Sequence, residues 1–463
     1  MPSGHSKMQQ EERNNERSTM STQTRSYWDP HWETTPLDDL APDIEERLRD
    51  QLRYVNEHSP FYRQKFDEAG IDPGLVGLDN LAELPFTVKE EVRRSQEQDP
   101  PLGAHACVGW AEILRIHASS GTTGQPTLIG LTRCDREMWS ELIARCMWSM
   151  GARPESRAWI AATLGWWIAG LTFVDSLQHL GAAVLPAGNT EPGRTFSVLQ
   201  RTGVDFVIST PSFVKYLAKF AREEMELDVA TLGILHMGLG GEPGAGLPHT
   251  RGQLEEQWGC KVYDCMGTAD FATLIWSECE AQDGMHFQGQ GFIVPELIDP
   301  DNGEPVALER GVTGELVYTA IRRECTPLVR FRVGDLAEVL GHGRCSCGRT
   351  SFRIRAVGRT DDMLISQGVN IYPSAVADVV AGLRPQTTGQ VQVQAESEGP
   401  SIEGTVPLTV EYDEASDLSA LKSELEDKVR NELLFRADVE LVPKGTLATE
   451  GGMKSSLVQR PDN

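Results

Sequence analysis

Cations are scarce in this chain. Lys and Arg total 43 against 68 Asp and Glu, a formal net charge of −25 over 463 residues. So acidic a chain argues against an extended nucleic-acid interface or an anionic-membrane binder, though not against a locally positive pocket for a small anion. Long apolar runs are missing too. The most apolar stretch, Trp159–Val174 (WIAATLGWWIAGLTFV), is shorter than the ~18 residues of a spanning helix. Two glycines interrupt it and Asp175 closes it, so it is expected as buried core. The N-terminal MPSGHSKMQQEERNNERSTM lacks the apolar core of a secretory signal. Cysteine is sparse, nine in all and unevenly spaced, which excludes a small disulfide scaffold and suits a reducing cytosol. No internal repeat occurs. A cytoplasmic protein with neither nucleic acid nor membrane as partner is expected.

What is present is a composition with 40% hydrophobic residues and length enough for two to four domains. Residues 1–25 are polar and expected to be disordered. From Asp43, Ile44, Leu48, Leu52 and Val55 recur at helical spacing. SPFYRQKF continues as a second helix, and Thr87 in LPFTVKEEVR is placed to cap a third. Between about 105 and 340, buried-strand runs (Trp159–Ala162, Val204–Ile208, Ile234–Met237, Lys261–Asp264) alternate with helical stretches such as Thr210–Met225. That alternation predicts an α/β fold with a largely parallel sheet. Gly291–Val339 reads as a strand meander. A small α+β unit of about a hundred residues follows Gly358, with a helix over Leu418–Leu434.

SSGTTGQPT, Ser119–Thr127, packs hydroxyls and glycines densely enough to wrap a phosphate with backbone N–H groups. It does not fit the GxxxxGK[ST] loop, because no Lys-Ser or Lys-Thr follows the second glycine; taken alone it could equally be a surface turn. Other motifs follow in order: GLGGEP at 238–243, MGTAD at 266–270, RFRVGDL at 330–336, GRTDDMLISQGVNIYP at 358–373 and EGGMKSS around Lys454. Together they resemble the adenylate-forming superfamily of acyl-CoA synthetases and adenylation domains. The opening YVNEHSPFYRQKFDEAGI with LPFTVKEEVR, and STPSFVKYL at 209–217, are similar to the phenylacetate–coenzyme A ligase family within it. The resemblance spans roughly Trp28 to Gln459.

It implies a large N-terminal α/β domain over 26–358, a small mobile C-terminal α+β lid over 359–463, and a site between them. By similarity, Ser119, Ser120, Gly121, Thr122, Thr123 and Gly124 hold the ATP phosphates, and Gly241, Glu242 and Pro243 flank the adenine. Gly267 and Thr268 also bind the nucleotide, and Asp270 after them stands where the family has a Glu that helps position Mg²⁺ and the nucleotide. Asp335 takes the ribose hydroxyls, Arg359 contacts the nucleotide, Asp361 is the hinge, and Lys454 reaches the site from the lid during adenylation. Taken singly, Asp270 could cap a helix, Asp335 close a turn, and Arg359 or Lys454 be solvated charges. Three departures stand out. Gln125 replaces the loop's usual Lys, Asp270 is one methylene short, and EGGMKSSLVQ departs from a plain Gly-Lys followed by an Arg.

The implied activity is ATP-dependent activation of an aryl or arylacetic acid as acyl-adenylate, followed by thioester formation with coenzyme A. ATP, Mg²⁺ and coenzyme A are the expected cofactors. Alternatives are an enzyme loading a carrier-protein thiol, and a homologue that binds nucleotide without turnover; a homodimer is left open. Trp166, Trp167, Phe213 and Met237 are candidates for an aromatic pocket. Cys279, His286, Cys345 and Cys347 offer three thiolates and an imidazole for a structural zinc, and the resemblance adds weight, since some members carry such a set there. Cys260 and Cys265 are expected as core or strand residues.

Overall fold

Helix α1 (Pro30–Thr34) starts at Asp29, whose carboxylate accepts from the Trp32 N–H. Helix α2 (Leu37–His58) buries Leu40, Leu48, Leu52 and Val55, the apolar stripe legible in the sequence. Ser59 caps α3 (Pro60–Ala69), and Gly70, at φ 68°, ends it. Helix α4 (Lys89–Gln98) corrects one expectation. Thr87 does not cap it. The cap is Val88, whose N–H is met by Glu91 Oε2 at 2.9 Å. Thr87 is buried and extended, and its backbone bridges the large sheet, donating to the Arg330 carbonyl at 2.9 Å. The chain is a computed structural model describing residues 26–119, 126–188, 190–360, 363–366, 369–395, 401–402, 404–415, 417–447 and 457–460. The tail over residues 1–25 lies outside them.

Strands β1 (Arg115–Ala118) and β2 (Leu128–Leu131) pair antiparallel around the 119–127 segment. Helices and strands then alternate: α5 (Arg133–Ser149), β3 (Arg157–Ile160), α6 (Ile168–Leu180), β4 (Ala183–Leu185), α7 (Pro192–Thr202), β5 (Phe206–Ser209), α8 (Pro211–Met225), β6 (His236–Gly240), α9 (Pro248–Trp258) and β7 (Lys261–Thr268). Strands β4, β3, β5, β6 and β7 lie parallel in that spatial order. The interior runs of β3 and β5 are apolar and buried, as a sheet covered on both faces requires. From β7 the pairing turns antiparallel through β8 (Ala272–Ser277), β9 (Met285–Phe287), β10 (Ile293–Ile298), β11 (Thr313–Ala320), β12 (Phe331–Gly341) and β13 (Arg353–Arg359). Among the described residues one eleven-stranded sheet results, ordered β10-β11-β12-β13-β9-β8-β7-β6-β5-β3-β4. The expected meander, β10 to β12, is thus continuous with the parallel half.

Trp159 and Phe173 are buried as expected of the 159–174 run, but Trp166 is 58% exposed. The segment between β3 and α6 leaves the sheet at a strand's carboxyl end, where α/β sheets present ligand-binding loops rather than core. Cys260 and Cys265 are buried, the latter inside β7.

Beyond Arg359 come β14 (Leu364–Ser366), β15 (Val369–Ile371), α10 (Pro373–Ala381), β16 (Thr387–Gln394), β17 (Ser401–Ile402), β18 (Val406–Tyr412), α11 (Leu418–Glu432), β19 (Ala437–Pro443) and β20 (Val458–Gln459). They enclose their own apolar cluster, including Leu364, Val380, Val393, Leu408 and Leu425. The main cluster, with Trp139, Trp276 and Phe331, lies under the large sheet. No helix among the described residues is long and apolar enough to cross a membrane.

Candidate active site and metal centre

The 119–127 segment is closed at its neck. Ser119 N–H donates to the Thr127 carbonyl at 2.9 Å, Thr127 N–H donates to Ser119 Oγ at 3.1 Å, and the two hydroxyls are 3.0 Å apart. Both residues are buried. The tip residues Ser120, Gly121, Thr122, Thr123, Gly124 and Gln125 lie outside the described residues, as do Asp361 and Lys454.

Asp270 sits in the tight turn between β7 and β8. Gly267 precedes it where a Cβ would fall 2.4 Å from the Thr273 carbonyl, so only glycine lets the two strands approach this closely. The Asp270 carboxylate is 9% exposed and receives Lys89 Nζ at 2.7 and 2.9 Å; the Thr268 hydroxyl is 3.5 Å away. Lys89 went unassigned in the sequence because 181 residues separate it from Asp270. It is the first residue of α4, and that helix is tied to the loop's exit: Gln96 Nε2 donates to the Leu128 carbonyl at 2.7 Å and Gln96 Oε1 accepts from Leu128 N–H at 3.0 Å.

Asp335 and Arg359 are directly paired residues of β12 and β13, and Arg359 Nη1 reaches Asp335 Oδ1 at 2.7 Å. Across the sheet, β6 delivers Gly241, Glu242 and Pro243. Gly241 takes φ +81°, which turns the chain sharply after the strand. Glu242 Oε1 accepts from Ser212 N–H at the start of α8, 2.5 Å away. Arg251 of α9 donates from Nε to the Ala245 carbonyl at 2.7 Å, and its Nη2 grips Glu278 at 2.8 and 2.7 Å. Beneath this clamp Asp264 is half-buried, and its desolvation together with Glu278 raises its pKa to about 8.

The pocket candidates fall in three places. Trp166 and Trp167 stack at 4.7 Å between ring centroids and 24° between planes. Their segment is bound to β1, where Ala118 N–H donates to the Trp166 carbonyl at 3.1 Å and His117 Nδ1 lies 3.3 Å from the same oxygen. Phe213, in the first turn of α8, stacks on Tyr216. Met237 is fully buried within β6, in the cluster that holds Trp258 and Leu239.

Cys279 follows β8, His286 lies on β9, and Cys345 and Cys347 occupy the turn between β12 and β13. One donor atom from each lies within 4.8 Å of all the others. Cys279 Sγ to Cys345 Sγ is 3.9 Å and Cys347 Sγ to His286 Nε2 is 3.5 Å. Four tetrahedral donors around zinc would have edges of about 3.8 Å (S to S) and about 3.5 Å (S to N), from the usual bond lengths. His286 Nδ1 is 3.4 Å from Ser351 Oγ, which fixes the ring so that Nε2 faces the thiols. The Cys279 and His286 contacts hold the Cys347 thiol well below the usual thiol range, and His286 lowers Cys345. The thiolate, the form that binds metal, is therefore favoured at Cys347 and Cys345, while the shared hydrogen bond and burial push Cys279 up and leave the proton there.

The same turn grips the N-terminal strap. Tyr27 donates its hydroxyl to the Cys347 carbonyl at 2.8 Å, Arg349 pairs with buried Glu33 at 2.7 Å, and Thr350 Oγ1 donates to the Thr35 carbonyl at 2.7 Å.

Comparison with known proteins bears on the whole chain. The family model described as AMP-binding enzyme matches residues 71–321, and the one described as AMP-binding enzyme C-terminal domain matches 368–459. The chain is similar to the phenylacetate-coenzyme A ligase of Thermus thermophilus, 34% identical over 452 residues, covering 92% of this chain and 97% of that protein. The Pseudomonas putida protein of the same name is 31% identical, covering 92% and 95%. Among solved structures, 2-hydroxyisobutyryl-CoA ligase in the postadenylation state with 2-HIB-AMP superposes with a TM-score of 0.87 at 31% identity, covering 96% of this chain and 94% of that one. The same enzyme in its thioesterification state, with 2-HIB-AMP and CoA, gives 0.70 at 32% identity and 95% and 94% coverage.

Proposed function

This chain belongs to the AMP-binding enzyme family, among the phenylacetate–coenzyme A ligases, and from that premise we propose that its acid substrate is an aryl or arylacetic carboxylate. At the coarser level the activity is that of an AMP-forming acid–coenzyme A ligase. The substrate carboxylate attacks the α-phosphorus of ATP and expels pyrophosphate. The coenzyme A thiol then attacks the acyl carbon, gives up its proton, and releases AMP.

The observation that carries the aromatic assignment is the stacked Trp166–Trp167 pair, with Trp166 exposed and Trp167 half-buried, beside the neck of the 119–127 loop. A planar acid gains offset stacking there, worth about 0.5–1.5 kcal/mol beyond its buried area. Acid-dependent pyrophosphate exchange tests the assignment. Phenylacetate or benzoate should support it better than 2-hydroxyisobutyrate, and Trp166→Ala should raise KM for the acid while leaving KM for ATP unchanged. Faster exchange with the small hydroxy acid would overturn the aromatic reading.

On this proposal the loop Ser119–Thr127 wraps the phosphates, Gly241–Pro243 flanks the adenine and Asp335 takes the ribose. Lys89 supplies near the phosphates the positive charge that Gln125 does not. Asp270 and Thr268 offer the hard oxygen donors that suit Mg²⁺, which would neutralise phosphate charge when bound. Cys279, His286, Cys345 and Cys347 would hold a structural zinc. Residues 26–358 and 359–463 act as body and lid about Asp361, with Lys454 serving adenylation. The higher TM-score against the postadenylation state supports assigning the present arrangement to the adenylation side of that cycle.

A further inference from the structure

Helix α9 begins without a cap of its own. Leu247 occupies the N-cap position and has no side-chain acceptor to offer. An uncapped N-terminus leaves backbone N–H groups unsatisfied. Here the acceptor comes from the C-terminal unit: Asp378 of α10 approaches with Oδ1 3.4 Å from the Thr250 N–H, 128 residues away in sequence. One turn on, Gln253 Nε2 of α9 donates to the Ala381 carbonyl at the end of α10, 3.0 Å away. The fit is close. A Cβ on Gly382, the residue ending α10, would lie 3.0 Å from the His249 ring. Burial raises the Asp378 pKa, and the Thr250 and His249 N–H groups work against that rise, as they do for a carboxylate held at a helix start.

The elements touched are those that shape the 241–247 loop. Helix α9 carries Arg251, which holds the Ala245 carbonyl, and α8 carries Ser212, which holds Glu242. Lys215 of α8 lies in the same junction, attracted by Glu242 and Asp378 and repelled by Arg384.

We propose that Asp378 is a positioning residue for the adenylation half-reaction, capping α9 from the lid and so steadying the nucleotide loop only while the lid is in this orientation. The inference rests on the body-and-lid proposal above. When the lid turns for thioester formation, α10 withdraws and α9 loses its cap, so the loop loosens as AMP has to leave.

The test uses the full-length protein and measures the two halves separately: acid-dependent pyrophosphate exchange, and thioester formation from synthetic acyl-adenylate with coenzyme A. Asp378→Ala removes the acceptor while suiting a helix interior. It should slow exchange about five- to thirty-fold, the ratio that a lost cap of about 1–2 kcal/mol produces. Thioester formation from supplied adenylate should be unchanged or faster. Asp378→Asn keeps an acceptor oxygen and should recover most of the exchange rate. Gln253→Ala should reproduce the Asp378→Ala pattern, slower exchange with thioester formation unchanged or faster, by a smaller factor. Equal loss in both halves, no loss in either, or Asn behaving like Ala would overturn the assignment. Wild-type protein without any acid-dependent exchange would instead sink the ligase reading on which it rests, and that result is seen before any variant is made.

Discussion

Replacing Lys89 with methionine keeps the length of the side chain and removes its charge. Two effects follow, and the structure separates their sizes. The Asp270 carboxylate, 9% exposed, loses its partner at 2.7 Å and retains the Thr268 hydroxyl at 3.5 Å. Breaking a fully buried pair costs about 3–5 kcal/mol. Lys89 is 28% exposed, so solvent screens part of this and about 1–2 kcal/mol of stability is expected to go. The second effect is on chemistry. A donor aimed at charge developing in the transition state is worth about 3–4 kcal/mol, so pyrophosphate exchange should fall by roughly two to three orders of magnitude. The double variant Lys89→Met/Asp270→Asn tells the two apart. Neutralising Asp270 removes the orphaned charge and should restore the melting temperature. Exchange should stay low, because the double variant lacks both the cation proposed near the phosphates and the carboxylate proposed for Mg²⁺. If the double variant recovers exchange together with stability, Lys89 serves only to neutralise Asp270, and its assignment to the phosphates is wrong.

Two further outcomes are expected. Untagged protein should carry about one zinc per chain, and Cys345→Ser should lose it and lower the melting temperature, with ATP binding retained; active protein free of metal would contradict the assignment of the four-residue centre. Asp264 gives a pH signature. Desolvation, reinforced by Glu278, raises its pKa from 3.8 to about 8, so between those values the folded chain keeps a proton that the unfolded chain has released. Its contribution is fully present below pH 4 and is lost as pH rises through 8, at up to about 1.4 kcal/mol per unit. Asp264→Asn should therefore stabilise the protein at pH 8 more than at pH 5 in urea titrations, and an equal shift at both would refute the raised-pKa assignment.

The alternation of helices and strands was legible because β3 and β5 are short, apolar and bounded by helical stretches, and α2 shows its stripe plainly. Their joining to the meander in one sheet was not, since sequence periodicity carries no information on which strand β9 or β13 will neighbour. Thr87 misled for a related reason. A threonine before a helical run satisfies the capping rule, yet the Thr87 backbone bridges to β12 and its hydroxyl lies 3.3 Å from that of Tyr62. At the site, motifs announced Asp270 and Asp335, because local glycines and turns mark them. Lys89, Arg251, Glu278 and Asp378 carry no such local mark. Each acquires its place through a partner on a distant element, and only the fold supplies that.

The strap formed by residues 27–35 has a consequence for how the protein is made. These residues leave the ribosome well before their partners Cys347, Arg349 and Thr350, which are translated more than 300 residues later. Contacts of that sequence separation cannot form until nearly the whole large sheet exists, and closing so long a loop is slow. Until then the Tyr27 hydroxyl and the Glu33 carboxylate lack these partners, although Trp28 meets Glu141 and Trp148 earlier in the chain. Nascent chains should therefore expose this segment to chaperones and proteases for most of their synthesis, and its burial should mark the end of assembly rather than its beginning.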